Sequence, residues 1–453
     1  MDVSFRRAVA EARRSGNLCF AGLLAEHRIE QAFGAASELW QGWIYTPAVT
    51  VWVFLAQCLS RDHSCRDAVA QLSAWRVARG LKPCSPDTGA YCTAREELPE
   101  AACHQLVRDT GRQASGETPA AWLWLGRHVV VADGSTISMA DTPANQAEYP
   151  QMASQAPGCG FPIARIVVLF ALSVGTVLEA ALGRYQGKQT GENSLFRTLH
   201  EALRSGDVLL ADRCFSGWCD ILLLWQRGVD VVVRKHQMRP TDFRTGRRLG
   251  KDDHLIVWQK SARPAWMTLE QYAGLPAELT LREVRVRVPH RGFRTKQVVV
   301  VTTLLDAEQY PAAAIAQLYR RRWQAELNLR SLKIVLPMDH LRCKTPHRVR
   351  NEFFMHLVAY NLIRQTLAAA AASAGREPWT ISFKGALQTI DHWLPTLPTS
   401  DSAAAWCDAV LTAIAAHRIG DRPDRIEPRV LKRRGKTYSL MIKPRAEYKK
   451  LAA

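Results

Sequence analysis

Two aspartates stand at the ends of short apolar runs, each directly after an alanine: Asp133 in HVVVAD (128–133) and Asp212 in DVLLAD (207–212). Runs of this kind read as buried strands, and neighbouring strands lie about 4.8 Å apart. If these two are neighbours, their carboxylates meet. Hard divalent cations such as Mg2+ take oxygen ligands, and paired carboxylates supply both the charge and the geometry. Each aspartate also has a plainer use open to it: Asp133-Gly134 suits a turn, and Asp212 suits the cap of a following helix.

A third acid sits in LYRRRWQAELNLRSLK (318–333). On a helix advancing about 100° per residue from Tyr319, Arg322 falls at about −60°, Glu326 at about −20°, Arg330 at about +20° and Lys333 at about −40°. One narrow stripe therefore carries five polar groups. Leu318 and Leu329 flank it on one side, Trp323 and Leu327 on the other, which predicts a stripe facing inward between apolar contacts. An acid packed among cations on such a face is costly unless something else binds there. The alternative is an i,i+4 ladder of Arg322, Glu326 and Arg330 on a solvated helix.

The elements that must position these residues follow from periodicity. Residues 1–120 read as helical, with breaks at Thr46-Pro47, Leu81-Lys82-Pro83 and Ser85-Pro86. The run AVTVWVFLAQCL within them suits a helix or a buried strand. Arg61, Arg66, Arg76 and Arg79 fit either a helix-turn-helix-like reader of DNA or a plain helical cap. GRQASGETPA (111–120) reads as a linker. Apolar strands then begin at 128. FPIARIVVLFAL and TVLEAALG form a predicted hairpin about Val174-Gly175, Asn193–Arg204 a helix, residues 215–227 another, and VDVVVR (229–234) a strand. A polar, Arg- and Lys-rich interruption spans 235–296, with strand-like pieces HLIVW and REVRVRV. QVVVVTT (297–303) resumes the core, and a long helix runs from near Pro311 to before Pro337.

Strands alternating with helices after an initial hairpin predict an α/β fold. The order is close to an RNase H-like mixed-sheet core carrying a β-rich insertion. The predicted organisation is a helical N-terminal domain for DNA binding or assembly (1–120), the RNase H-like catalytic domain (125–370, insertion 235–296), and a helical C-terminal region with a basic tail (371–453).

At these residues the chain resembles the DDE transposases of bacterial insertion sequences, of the IS-four family. That family's signature is Tyr, two residues, Arg, three residues, Glu, six residues, Lys, met here by Tyr319, Arg322, Glu326 and Lys333. ADG (132–134) and ADR (211–213) are similar to its first two acidic motifs. DTPANQAEYPQ (141–151), GFPIAR (160–165), GKQTGEN (187–193) and the basic tail extend the likeness. The resemblance implies that Asp133, Asp212 and Glu326 bind two Mg2+ ions, Mn2+ substituting. It further implies that Tyr319, Arg322 and Lys333, with Arg330 on the same stripe, hold phosphates of a transposon end. Cut-and-paste movement through a hairpin intermediate would follow, on a homodimer assembled with end and target DNA. An RNase H-like nuclease without strand transfer and a catalytically silent DNA-binding regulator are the competing readings. In some relatives an aromatic residue before the strand leading to the Glu helix stacks on a flipped base. Lys296 and Gln297 occupy that place here, and Phe293, Trp258 and Trp266 do not match it, so no base-flipping residue is assigned.

Charge agrees with a polyanionic partner. The 453 residues hold 60 Lys and Arg against 42 Asp and Glu, a net +18. Residues 418–453 carry twelve of those cations against four acids, 12 − 4 = +8, centred on RPDRIEPRVLKRRGK. Such a segment suits the phosphate backbone and adds salt-sensitive affinity, or serves as a solubilising tail. With 47% hydrophobic residues the chain has material for a substantial core. Its eleven cysteines include no CxxC pair, which suits free thiols in a reducing compartment. The opening MDVSFRRAVAEARRSG lacks the apolar run of a secretory signal, and 166–178 is too short and too interrupted to span a bilayer. The expected setting is the bacterial cytoplasm, near the nucleoid, away from membranes.

Overall fold

The computed structural model describes residues 24–34, 44–287, 297–393, 403–420 and 439–452. The opening basic segment, Phe293, Lys296 and the centre of the basic tail lie outside these. The chain divides into two compact units, and neither is one continuous stretch. Met1–Leu123, Phe170–Ala180 and Leu327–Ile419 make one; Trp124–Leu169, Ala181–Glu326 and Gly420–Ala453 make the other. Packing thus joins the first and last thirds of the chain, where the sequence suggested three consecutive domains.

The first unit is helical and is built around Pro346–Ser373, a helix of 28 residues buried over most of its length. Against it packs Glu100–Gly116, which runs through the stretch expected as a linker. The reason is Gly111: a Cβ there would lie 1.9 Å from the carbonyl oxygen of Val177. Locally the glycine reads as a helix breaker; in the fold it permits close approach of two backbones. Asn361 completes the contact, its side chain accepting from the Val177 N–H at 2.7 Å and donating to the Val177 carbonyl at 2.9 Å. AVTVWVFLAQCL is helical, within Pro47–Leu59, and starts where the predicted break stood. The Thr46 hydroxyl caps it by accepting from the Val49 N–H, and Pro47 occupies the first turn.

The second unit holds most of the sheet. Its strands are β1 (Val129–Met139), β2 (Ile163–Ala171), β3 (Val177–Arg184), β4 (Val208–Ala211), β5 (Asp230–Arg234), β6 (Arg247–Gly250), β7 (Asp253–Gln259), β8 (Glu278–Arg287) and β9 (Gln297–Thr302). They lie in the order β3-β2-β1-β4-β5-β9-β8-β7-β6. The tip of the β2–β3 hairpin turns at Gly175 (φ +76°), as expected, and counts with the first unit. β1, β4 and β5 run parallel, while β9 returns antiparallel to β5. Val, Ile and Leu fill the parallel strands because both faces are covered. The order β3-β2-β1-β4-β5 is that of an RNase H-like α/β core.

The interruption at 235–296 extends this sheet through β6–β8. Two ionic contacts inside it are buried. Arg282, with no exposed surface, grips Asp253 through two nitrogens, and Lys235 donates to Glu283 at 2.5 Å, with His254 on the other carboxylate oxygen at 3.4 Å. Lys235 also donates to the Pro240 carbonyl and the Thr241 hydroxyl, so the triad fastens the loop after β5 to β7 and β8.

Three local expectations need correction. β1 does not stop at Asp133 but continues to Met139, because Ile137 and Met139 keep burying alternate side chains. Asn193–Arg204 is no single helix: Glu192–Arg197 is α-helical, and a short tight turn at His200–Ala202 follows. The helix from Pro311 is interrupted. Ala312–Arg321 and Trp323–Arg330 meet at Arg322, and the wider coil of Ser331–Val335 ends the run.

Candidate active site

The β1–β4 ladder pairs Val129 with Val208, Val130 with Leu209 and Val131 with Leu210. Two residues beyond the last pair, on parallel neighbouring strands, come Asp133 and Asp212. They therefore lie at one level and on one face, since the pleat has period two. Asp133 is inside a strand and Asp212 immediately after one, with extended backbone. The alternative use of Asp212 as a helix cap fails: its side chain makes no capping hydrogen bond.

Burial pushes the Asp133 carboxyl up to about 6. Arg322 and the Gly134 N–H, which donates to Oδ1 at 3.0 Å, act against that rise, while the charges of Glu326 and Glu192 add to it. Asp133 thus feels Glu326 and Arg322 directly, although nearly two hundred residues separate them. Arg322 is the common neighbour. Burial alone would lower its pKa, but Tyr319, the Glu326 carboxylate and Asp212 together raise it. Its Nη2 donates to Glu326 Oε1 at 2.7 Å, with the arginine 17% and the glutamate 38% exposed. One guanidinium accordingly sits among all three predicted acids.

The stripe is only half lined by apolar burial. Leu318 and Leu329 are buried as expected, but Trp323 is 48% and Leu327 42% exposed, so the other flank meets solvent. Tyr319 is buried, and its hydroxyl is pushed up to about 12 by that burial, with Arg322 opposing and Asp212 reinforcing. Tyr319 and Arg322 act on each other electrostatically. Arg330 is exposed. Lys333, in the wider final turn, pairs with Asp339 at 2.9 Å. Trp258 is buried and its carbonyl accepts from the Trp218 indole, while Trp266 lies under the Arg197 guanidinium at 4.1 Å. The Trp258 ring is thus not presented for stacking on a base.

Sequence reasoning gave no role to four residues that the fold brings here. Arg234 closes β5 and acts electrostatically on Tyr319; a cation ending an apolar strand was the same kind of signal as the two acids. Glu192, Arg165 and Cys214 cluster beside Asp133 and Asp212. Two of these lie in sequence blocks noted only for their likeness to a family.

For a divalent ion, the test is the donor set. Asp133 and Asp212 offer oxygens alone, level with each other, which suits a hard cation. Glu326 is engaged by Arg322, and among the described residues no three His, Cys, Asp or Glu side chains already converge to ligand distance. The two aspartates fit such an ion, while Glu326 is hydrogen-bonded to Arg322.

A family model for the transposase DDE domain matches residues 124–362, more than half of the chain. The transposase InsG for insertion sequence element IS4 of Escherichia coli (strain K12) is 26% identical over 401 residues, covering 86% of this chain and 85% of that protein. A putative transposase InsL for insertion sequence element IS186A of the same organism is 36% identical over 83 residues, 17% of this chain and 22% of that one. Among solved structures, a piggyBac transposase synaptic complex with hairpin DNA superposes at a TM-score of 0.40 with 11% identity, covering 82% of this chain and 76% of that chain. With the family model spanning the sheet, both aspartates and the signature helix, the chain belongs to the DDE transposases, enzymes that cleave DNA and transfer its strands.

Proposed function

We propose that the chain moves an insertion sequence by cut and paste, with Asp133, Asp212 and Glu326 as the ligands of two Mg2+ ions, for which Mn2+ substitutes. The observation carrying this is the level placement of Asp133 and Asp212 on adjacent parallel strands, with Glu326 brought to them on the signature helix. Bound there, two such ions would activate the attacking oxygen and stabilise the leaving 3′-oxygen of an in-line displacement. The chain's own groups then have separate tasks. Arg322 carries a buried positive charge among the acids and, once a phosphate arrives, offers it two parallel N–H donors. Tyr319, buried near that guanidinium, favours its charge electrostatically. Arg330 and Lys333 add cations for the backbone of the transposon end, Arg330 from an exposed position.

One active centre must process several strands in turn, and two ends must be paired. The proposed assembly is therefore a homodimer formed on end and target DNA, with a hairpin on the excised end as intermediate. The +18 net charge suits that polyanionic partner. Among the described residues no helix is long and apolar enough to cross a membrane, and we place the enzyme in the bacterial cytoplasm at the nucleoid.

The test is a strand-transfer assay with precleaved end DNA, supercoiled plasmid and Mg2+. Joined product from the wild type, lost in Glu326→Gln, supports the proposal. Cleavage without joining would make the chain a nuclease, and activity intact in Glu326→Gln would leave the assigned acids without a role.

A further inference from the structure

Glu192 lies outside the three-acid pattern, yet the fold brings it to the same place. Its carboxyl group occupies the space where a side chain at position 134 would begin: a Cβ on Gly134 would lie 2.6 Å from Glu192 Cδ and 2.9 Å from Oε1. Gly134 directly follows Asp133, so the glycine leaves room for a second carboxylate against the backbone of the catalytic strand. Two like charges brought this close repel. The cation paired with Glu192 is Arg165 on β2, whose Nη1 donates to Glu192 Oε1 at 3.3 Å while its guanidinium lies 4.7 Å from the Tyr185 ring centre.

The residue next to it reaches the second aspartate's turn. Cys214 stands two residues after Asp212, and its Sγ donates to Asn193 Oδ1 at 3.4 Å. Glu192 therefore abuts the segment after Asp133, while its chain neighbour Asn193 holds the segment after Asp212. Arg165, Gly134 and Glu192 come from three separate blocks, GFPIAR, ADG and GKQTGEN, and this contact is where the three meet.

We infer that Glu192, braced by Arg165, is a positioning residue of the catalytic centre: together with Asn193 beside it, it fixes the Asp133 strand against the turn that carries Asp212. Rotation of one carboxylate relative to the other is then limited by a bridge that neither aspartate supplies itself. Removing such support around an ion-binding site typically costs about 10–100-fold in metal affinity or activity. The inference rests on Asp133 and Asp212 carrying the chemistry, so Asp133→Asn must accompany every test as a control.

Three variants separate positioning from mere stability. Glu192→Gln keeps the volume and removes the charge. Arg165→Met removes the brace. Gly134→Ala pushes a Cβ into the flexible end of Glu192, displacing the carboxylate at little cost because the position has no left-handed backbone. Each is measured for melting temperature, for end-DNA affinity in EDTA, for Mn2+ binding by calorimetry without DNA, and for the Mg2+ concentration giving half-maximal strand transfer. The expected result for Glu192→Gln and Gly134→Ala is DNA affinity within about twofold of wild type, with Mn2+ affinity weakened and half-saturating Mg2+ raised by about tenfold or more. Arg165→Met shifts both in the same direction and by less. Unchanged Mn2+ affinity and Mg2+ dependence in Gly134→Ala and Glu192→Gln would overturn the inference, as would losses that only follow melting temperature. If Asp133→Asn keeps wild-type strand transfer, the reading of the aspartates fails first and this inference with it.

Discussion

Arg322 and Glu326, one helical turn apart, are joined by a hydrogen bond of 2.7 Å, and the guanidinium in that bond also acts electrostatically on Tyr319, Asp133 and Asp212. An i,i+4 pair on a solvated helix contributes only about 0.2–0.5 kcal/mol. This one is largely enclosed and surrounded by three carboxylates, so removing its cation leaves acids facing each other. Arg322→Ala is expected to cut strand transfer by about 100-fold or more, in the range for losing one charged donor at a reacting centre. Arg322→Lys should restore only part, because an ammonium lacks the planar fork that holds Glu326 and a phosphate at once. Turnover within about twofold of wild type in Arg322→Ala would contradict the role given to this residue.

The raised pKa of Asp133 has a consequence for stability that needs no substrate. A carboxyl pushed up to about 6 by burial favours the folded state fully below its unfolded value near 4, and that contribution is lost as pH rises through about 6. Above that range the ionised group costs on the order of 2–3 kcal/mol, from a shift of about two units. Asp133→Asn in EDTA should therefore melt above the wild type at pH 8 and close to it at pH 4.5. An equal difference at both pH values would show that the group is not strained by its charge.

The buried triad of the insertion makes a prediction about breaking one ion against replacing two. Glu283→Ala strands the Lys235 ammonium, which is 4% exposed, and should cost about 3–5 kcal/mol. Lys235→Met combined with Glu283→Leu removes both charges and should recover most of that loss, measured by urea unfolding. Failure of the double variant to recover would show that the hydrogen bonds to Pro240 and Thr241 outweigh the ion pair.

Gly111→Ala tests the close approach in the helical unit. A methyl group 1.9 Å from the Val177 carbonyl oxygen cannot be accommodated without moving backbone, and the expected loss is about 3 kcal/mol or more. Thermal unfolding reads it directly: a helix-favouring substitution that raises the melting temperature would mean the two segments are not held together.

Much of the site was legible because its residues punctuate unmistakable patterns. An acid ending VVVA or VLLA stands out against an apolar run, and the polar stripe on 318–333 follows from helical spacing alone. What escaped depended on distant partners. Gly111 reads as a linker residue because local propensity cannot register Val177. The continuation of β1 past Asp133 rests on Ile137 and Met139, whose alternation is too short to stand out beside Gly134 and Ser135. Trp323 and Leu327 looked like core by residue type, yet they are substantially exposed. Glu192 and Arg165 carried no periodic signal, and only the fold brings them against Gly134.

The most direct measurement of the central claim is iron-directed cleavage of the polypeptide. Fe2+ takes the place of Mg2+ at carboxylate sites and, with ascorbate and peroxide, releases hydroxyl radicals that cut backbone close to the bound ion. If Asp133, Asp212 and Glu326 serve one ion centre, the protein bound to end DNA yields cuts near all three positions, suppressed by excess Mg2+ and lost together in Asp133→Asn. Cuts near the two aspartates with none near Glu326, or cuts that survive Asp133→Asn, would contradict it.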